Sequence, residues 1–429
     1  MKRRPISLRW GVSAGLSGMV ILVWGVASFR YGRANERDAS LPPSDSVTLT
    51  VAGTRTTIFE SSTEGCGPND RPDVYAHAVR TPTGLMLISG NAFGNYTLTG
   101  PDFDHLRRDC AHPRLVSGDN PDPSAFRGRE WINAVYRLGD TIHALVHDEY
   151  HDPVSPLCMP GENGPRNPCW FNTVTYAYSI DGGLTFSHGS SPRGFVVAPP
   201  TSRWDPRRGA PEGTRSRMYG YFGPSNIIRG PDSYFYATMV VMNNPDSARG
   251  TCAIRTRDLG DPLSWRAWDG AGYGLRFENP YNPSAPQPLR ACAAVSPGAI
   301  HDFGGSLTYN TYLGRYVLVG FATPPYRNPP IVCGFAFSLS KDLVTWTPPQ
   351  VFASTNPPPG APRCPQRGDL GNAYYPSLVD PSDTTVNFEV TGRTPHLYYV
   401  AGFGSPKRSL IRVQVRFDRH VAGVPDSGR

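Results

Sequence analysis

The residues best suited to chemistry lie in one run, His147-Asp148-Glu149-Tyr150-His151. On an extended strand, alternation puts His147, Glu149 and His151 on one face and Asp148 and Tyr150 on the other. Two histidines around a carboxylate are a donor set for a transition metal. The same group could serve as a catalytic acid or base with substrate contacts, or as a hydrogen-bonded polar loop. Other candidates border short apolar strands or lie on them. They are Asp70, Asp73 and His77, then Glu130 and Asn133, then Ser225 and Asn226. His301 and Asp302 follow, and last come Asn372, Tyr374 and Tyr375. Carboxylates converging on a pocket with Tyr, His and Asn are what glycoside cleavage requires. One protonates the leaving oxygen and another acts as base or nucleophile. The lone His143 reads as a residue packed within its strand.

Something must bring these scattered positions together, and a weak internal repeat supplies it. Each copy is an apolar strand, a turn and a second apolar strand. The copies run over Val74–Gly90, Trp131–His147, Pro224–Val241, Gly304–Gly320 and Tyr375–Gly402, the fifth with an insertion between its strands. A second hairpin follows the first in four copies. Its clearest form is Ser179, Asp181, Gly183, Thr185 and Phe186; looser forms centre on Asp102, Asp258 and Asp342. In such a turn Asp caps backbone donors, Gly takes a positive φ and the aromatic packs between sheets. Two hairpins per copy give a four-stranded sheet, and five copies give five blades. The expected fold is therefore all-β: a five-bladed β-propeller with four-stranded antiparallel blades over residues 46–420. The fifth copy lacks its last strand, which Val47–Val51 could supply, so that both chain ends close the ring.

Composition agrees. The 429 residues hold 45 Gly and 45 Pro, a mix suited to many short strands and turns, and no convincing amphipathic helix follows residue 35. The net charge of +7 comes almost wholly from scattered arginines without a clustered basic face, so nucleic acid is not an expected partner.

Residues 1–30 read as a signal anchor or signal peptide. Lys2, Arg3, Arg4 and Arg9 precede an uncharged stretch over residues 10–29, long enough to span a bilayer. The basic flank predicts a cytoplasmic N-terminus with the bulk outside. Residues 31–45 read as a linker and 421–429 as a tail. Eight cysteines in an oxidising compartment suggest local disulfides between sequence neighbours: Cys66 with Cys110, Cys158 with Cys169, Cys252 with Cys292, and Cys333 with Cys364.

Five copies, a hairpin matching the Asp box S-x-D-x-G-x-T-[WF] of sialidase-like propellers, and carboxylates at inner-strand starts resemble the five-bladed propeller glycosidases. These comprise the arabinanase and xylosidase group and the invertase and levansucrase group. The resemblance implies an Asp base or nucleophile at the start of the first blade, which is Asp73 by position. It implies a general-acid Glu, which is Glu149 or Glu130, and a further acidic residue that tunes it, which is Asp302. Substrate contacts would fall on His77, Asn133, His147, Tyr150, Ser225, Asn226, His301, Tyr374 and Tyr375. The strings HDEYH, Pro224-Ser225-Asn226-Ile227 and Ala373–Leu378 also resemble uncharacterised bacterial exported proteins. The resulting expectation is a glycoside hydrolase at the bacterial inner membrane, or secreted if the signal is cleaved. A non-catalytic propeller binding glycan or protein is the alternative. No cofactor is implied; a metal at His147, Glu149 and His151 stays open.

Overall fold

The computed structural model describes residues 45–152, 155, 158, 169–189, 194–212, 218–242, 249–301, 303–322, 333–356 and 368–421. The expected anchor at residues 1–30, nearly all of the linker, the tail beyond Val421, Asp302 and Cys364 lie outside them.

The described chain is almost entirely β. Its one α-helix is the single turn Ser61–Glu64. The strands form successive antiparallel meanders. The first blade is His77–Thr81, Gly84–Ile88, Thr97–Gly100 and Arg107–Arg108. The second is Arg129–Leu138, Thr141–His151, Trp170–Ser179 and Val196–Ala198. The third is Ile228–Arg229, Phe235–Met242, Arg249–Thr256 and Arg266–Ala267. The fourth is Gly305–Asn310, Arg315–Ala322, Gly334–Ser340 and Gln350–Ser354. The fifth is Ala373–Val379, His396–Ala401 and Ser409–Val421. Its outer edge is completed by Asp45–Val51 and Thr56–Glu60, both paired with Ser409–Val421. Strands from both sides of the repeats thus close the last blade, as the missing fifth-copy strand predicts, the N-terminal one starting two residues earlier than the expected Val47–Val51.

Inner strands touch around a ring. His77–Thr81 meets Arg129–Leu138, Ile228–Arg229 meets Gly305–Asn310, and Ala373–Val379 meets both Gly305–Asn310 and His77–Thr81. Between the second and third blades the Tyr136 and Phe235 rings meet edge to face at 5.1 Å. The apolar cores lie between neighbouring blades, one being Val79, Met86, Ile132, Val146 and Phe186 between the first and second. An addition absent from the repeat is the strand Met218–Phe222. It pairs parallel with Trp170–Asn172 and antiparallel with Val240–Met242, joining the second and third blades into one sheet.

The second hairpin forms as its residues dictate. Asp181 Oδ1 accepts from the Leu184 and Thr185 amides, Gly182 and Gly183 take φ of 75° and 93°, and Phe186 is buried. The fifth-copy insertion acts as a plug at the hairpin end of the ring. Val390–Thr391 pairs with Tyr309–Asn310 of the fourth blade. Arg80 of the first blade donates to Asp383 O at 2.8 Å, and the Asn387 side chain bonds both backbone groups of Arg137 in the second. Glu389 accepts from the Arg229 amide of the third at 2.6 Å. The opposite mouth, where the inner strands begin, lies away from this insertion.

Three of the expected disulfides are present, Cys66–Cys110, Cys158–Cys169 and Cys252–Cys292. They fit an oxidising, extracytoplasmic compartment.

Candidate functional site

The mouth is built from the segment before the first inner strand, the end of Thr141–His151, and the bulged start of Ala373–Val379. Asp73 stands on the first of these, and its side chain is 15% exposed. Arg408 Nη1 donates to Asp73 Oδ1 and to Pro72 O, and Asn91 Nδ2 donates to Asp73 Oδ2 at 3.1 Å. Arg408 rests on the Phe403 ring, 4.8 Å from its centroid. Burial pushes the Asp73 carboxyl above its ordinary range; the Glu149 charge adds to this, and Arg408 and Arg71 oppose it.

Glu149 projects from the second blade and is 21% exposed. Its Oε2 lies 2.9 Å from His151 Nε2, and its Oε1 lies 3.6 Å from His147 Nε2. Burial works to raise its pKa, but the His151 hydrogen bond and the charges of His147, His151 and Arg129 outweigh burial and leave it lowered. Asn172 Oδ1 lies 2.6 Å from His147 Nε2, while its Nδ2 donates to Tyr219 O. The amide thus presents its oxygen, and His147 carries the proton on Nε2. Trp131 and Phe222 flank His147 at 5.8 and 6.0 Å, and Trp170 stacks on His151 at 5.7 Å.

The remaining wall is aromatic. Tyr75 meets Tyr375 edge to face at 5.2 Å, and Tyr374 stacks on Phe403 at 4.6 Å. Tyr375 holds φ of 54°, which is strained for a bulky residue. It sits where the pairing with His396–Ala401 slips register between Tyr374 and Ser377. Tyr75 crosses towards the fourth blade, where only Gly305 leaves room for its ring. His77 and Asn133 are buried, each with one polar atom, Nε2 and Oδ1, lacking a hydrogen-bond partner. Burial drives the His77 pKa down to about 3, so this imidazole is neutral.

The mouth therefore assembles Asp73, Glu149, His147, Tyr374 and Tyr375 from the sequence-predicted set, with His77 and Asn133 on its inner strands. Several others are placed away from the mouth or have their polar groups engaged elsewhere. Glu130 does not join Glu149. It pairs across the strands with Asp148, hence on the opposite face, fully buried, with His188 Nε2 at 2.5 Å and the Gly118 amide at 3.0 Å. Tyr150 also faces that way, packed against Phe171 and Trp204 with its hydroxyl on Pro121 O. Ser225 and Asn226 are consumed by the backbone. The Ser225 hydroxyl accepts from the Thr238 amide, and the Asn226 side chain bonds both backbone groups of Leu307, joining the third and fourth blades. His301 accepts from Thr251 through its backbone oxygen. Asp70, the fallback for Asp73, is buried in an ion pair with Arg108. His143 is packed in its strand against Tyr176, as expected.

Sequence reasoning missed Arg408, Asn91, Asn172, Tyr75 and Phe403. Only Asn172 carried a signal, since pairing its strand with the HDEYH strand sets it opposite Glu149. Among the described residues no group of three or more His, Cys, Asp or Glu is arranged to hold a metal ion. Glu149 instead spends its oxygens on the two histidines.

No protein-family model matches the chain, and no curated protein matches it. Among solved structures, a protein of unknown function from Dyadobacter fermentans DSM 18053 aligns over 86% of this chain and 99% of its own, at 12% identity and a TM-score of 0.45. Sucrose-6-phosphate hydrolase from Lactobacillus gasseri aligns over 84% and 62%, at 11% identity and 0.42. An α-L-arabinanase from Cellvibrio cellulosa aligns over 79% and 91%, at 11% identity and 0.40.

Proposed function

We propose that residues 45–421 form a five-bladed propeller acting on glycans outside the cytoplasm as a glycoside hydrolase, with Asp73 and Glu149 as its carboxylate pair. The observation that carries this reading is the opposite displacement of two carboxyls sharing one mouth. Asp73 is pushed up, chiefly by burial, and Glu149 is held down by its histidines. Two titratable groups driven apart in this way mark an acid and a base. Asp73 then protonates the leaving oxygen, and Glu149 serves as base or nucleophile. These roles are the reverse of those implied by the resemblance. The Tyr75, Tyr374, Tyr375 and Phe403 rings offer faces for sugar C–H surfaces. Residues 10–29 would tether the propeller to the membrane.

A second reading, a glycan-binding propeller without catalysis, is favoured by one contact. Arg408 and Asn91 occupy both Asp73 oxygens, as in a structural ion pair.

The deciding experiment is a screen of the full chain against aryl glycosides and polysaccharides, alongside Asp73→Asn and Glu149→Gln. The enzyme reading expects each variant to keep its fold and lose about 10²–10⁴-fold in rate. Hydrolysis unchanged in both would remove these residues from the chemistry. Polysaccharide retention without any hydrolysis would establish the binding reading.

A further inference from the structure

Of the described aromatic side chains only Phe93 and Tyr309 stand exposed, at 53% and 38%. Tyr309 belongs to the plugged end of the ring, beside Val390. Phe93 belongs to the mouth. It lies on Phe93–Gly94, a two-residue strand between the first two blades, paired with Leu115–Val116. Phe93 is directly opposite Val116, which is 64% exposed. Opposed residues of an antiparallel pair share a face, so the two side chains form one small apolar platform.

This platform is rigid and joined to the site. Asn95, held at φ of 48°, donates to Leu115 O and Glu130 O at 2.9 and 2.8 Å and accepts from the Ile132 amide at 2.8 Å. Ser117 Oγ donates to Ala92 O at 2.6 Å, and the Arg114 amide donates to Gly94 O at 2.7 Å. Asn91 makes the link inward. Its Oδ1 accepts from the Phe93 amide at 3.2 Å, while its Nδ2 donates to Asp73 at 3.1 Å. One side chain thus holds both the carboxylate and the backbone that carries the aromatic. A backbone fixed in advance loses little conformational entropy when a ligand stacks on the ring it carries.

We propose that Phe93, with Val116, is a stacking subsite at the rim of the mouth for a sugar unit beyond those held inside, so that the ligand is a chain, not a free mono- or disaccharide. This rests on the glycan reading above and deepens it. Phe93 is a binding residue with no part in bond cleavage.

The test runs the full chain through native gels containing arabinan, xylan or levan, and measures kcat/KM on p-nitrophenyl arabinofuranoside and xylopyranoside. Phe93→Ala is expected to weaken retardation by the polymer that holds the wild type about five- to tenfold, the scale of one aromatic contact. Phe93→Trp is expected to restore it, with kcat/KM on the small glycosides and the unfolding midpoint unchanged in both. Retardation of Phe93→Ala equal to wild type overturns the subsite and leaves the glycan reading standing. Wild type that is neither retarded by nor active on any of these probes overturns both.

Discussion

Arg408 in the last blade donates to Asp73 ahead of the first, across 335 positions of sequence. The contact closes the ring and sets the charge on a candidate catalytic group at once. Arg408→Met should therefore act in two ways. Breaking a largely buried ion pair costs about 3–5 kcal/mol, here discounted to roughly 2–4 because both partners keep some solvent contact. Asp73, already raised, rises further without its counter-ion. In the acid role this moves the alkaline limb of kcat/KM to higher pH. Arg408→Lys keeps the charge and separates the two effects. A pH profile identical to wild type in the Met variant would make Arg408 a structural tie alone.

The pairing of His151 with Glu149 makes a complementary prediction on the acidic limb. Glu149 has a folded pKa below its ordinary 4.5. It therefore contributes stability above pH 4.5 that is lost as pH falls through the folded value. His151→Ala removes the nearest donor, so the acidic limb of kcat/KM should move up and the loss of stability on acidification should shrink. His151→Gln, which can still donate, should fall between. Activity titrations and melting curves from pH 3 to 7 check both.

Asp148 behaves with the opposite sign. It is fully buried, its Oδ2 has no hydrogen-bond partner, and its Oδ1 accepts from the Gly128 amide at 2.6 Å. Burial first, and the Glu130 charge opposite it, push its pKa well above 3.8. The folded chain thus holds a proton that the unfolded chain releases, and this group lowers stability as pH rises above 3.8. Asp148→Asn keeps the amide contact without the ionisation. Its melting temperature should gain on wild type between pH 4 and pH 8. A constant difference across that range would show that Asp148 does not titrate on unfolding.

Gly305 supplies a steric prediction. It holds φ of 141°, and a Cβ there would overlap the Tyr75 ring. Gly305→Ala must displace Tyr75 from its contact with Tyr375, costing about 1–3 kcal/mol. Denaturant unfolding and the near-ultraviolet dichroism of the tyrosines should both change. Tyr75→Ala in the same background should recover part of the stability.

Much of the fold was written in the sequence because blades are local. Each hairpin is set by strand periodicity and turn chemistry within a few dozen residues, so the five copies, the Asp181 turn, the closing strand at Val47–Val51 and three neighbouring disulfides could all be read in advance. Alternation alone also put His147, Glu149 and His151 on one face. Which of the polar residues bordering inner strands face the mouth was decided by tertiary structure. Glu130 and Asp70 have the same chemistry as Asp73 and Glu149, and Ser225 and Asn226 are polar residues placed alike beside an inner strand. They differ only in what the neighbouring blade presents: Leu307 to Asn226, His188 to Glu130, Arg108 to Asp70. Nothing in the string near Asp73 announces Arg408, and nothing near Tyr75 announces Gly305. A hairpin is specified by short-range backbone preferences. A carboxylate's charge and freedom depend on burial and on counter-ions brought to it by ring closure, and those terms exist only once the chain has folded.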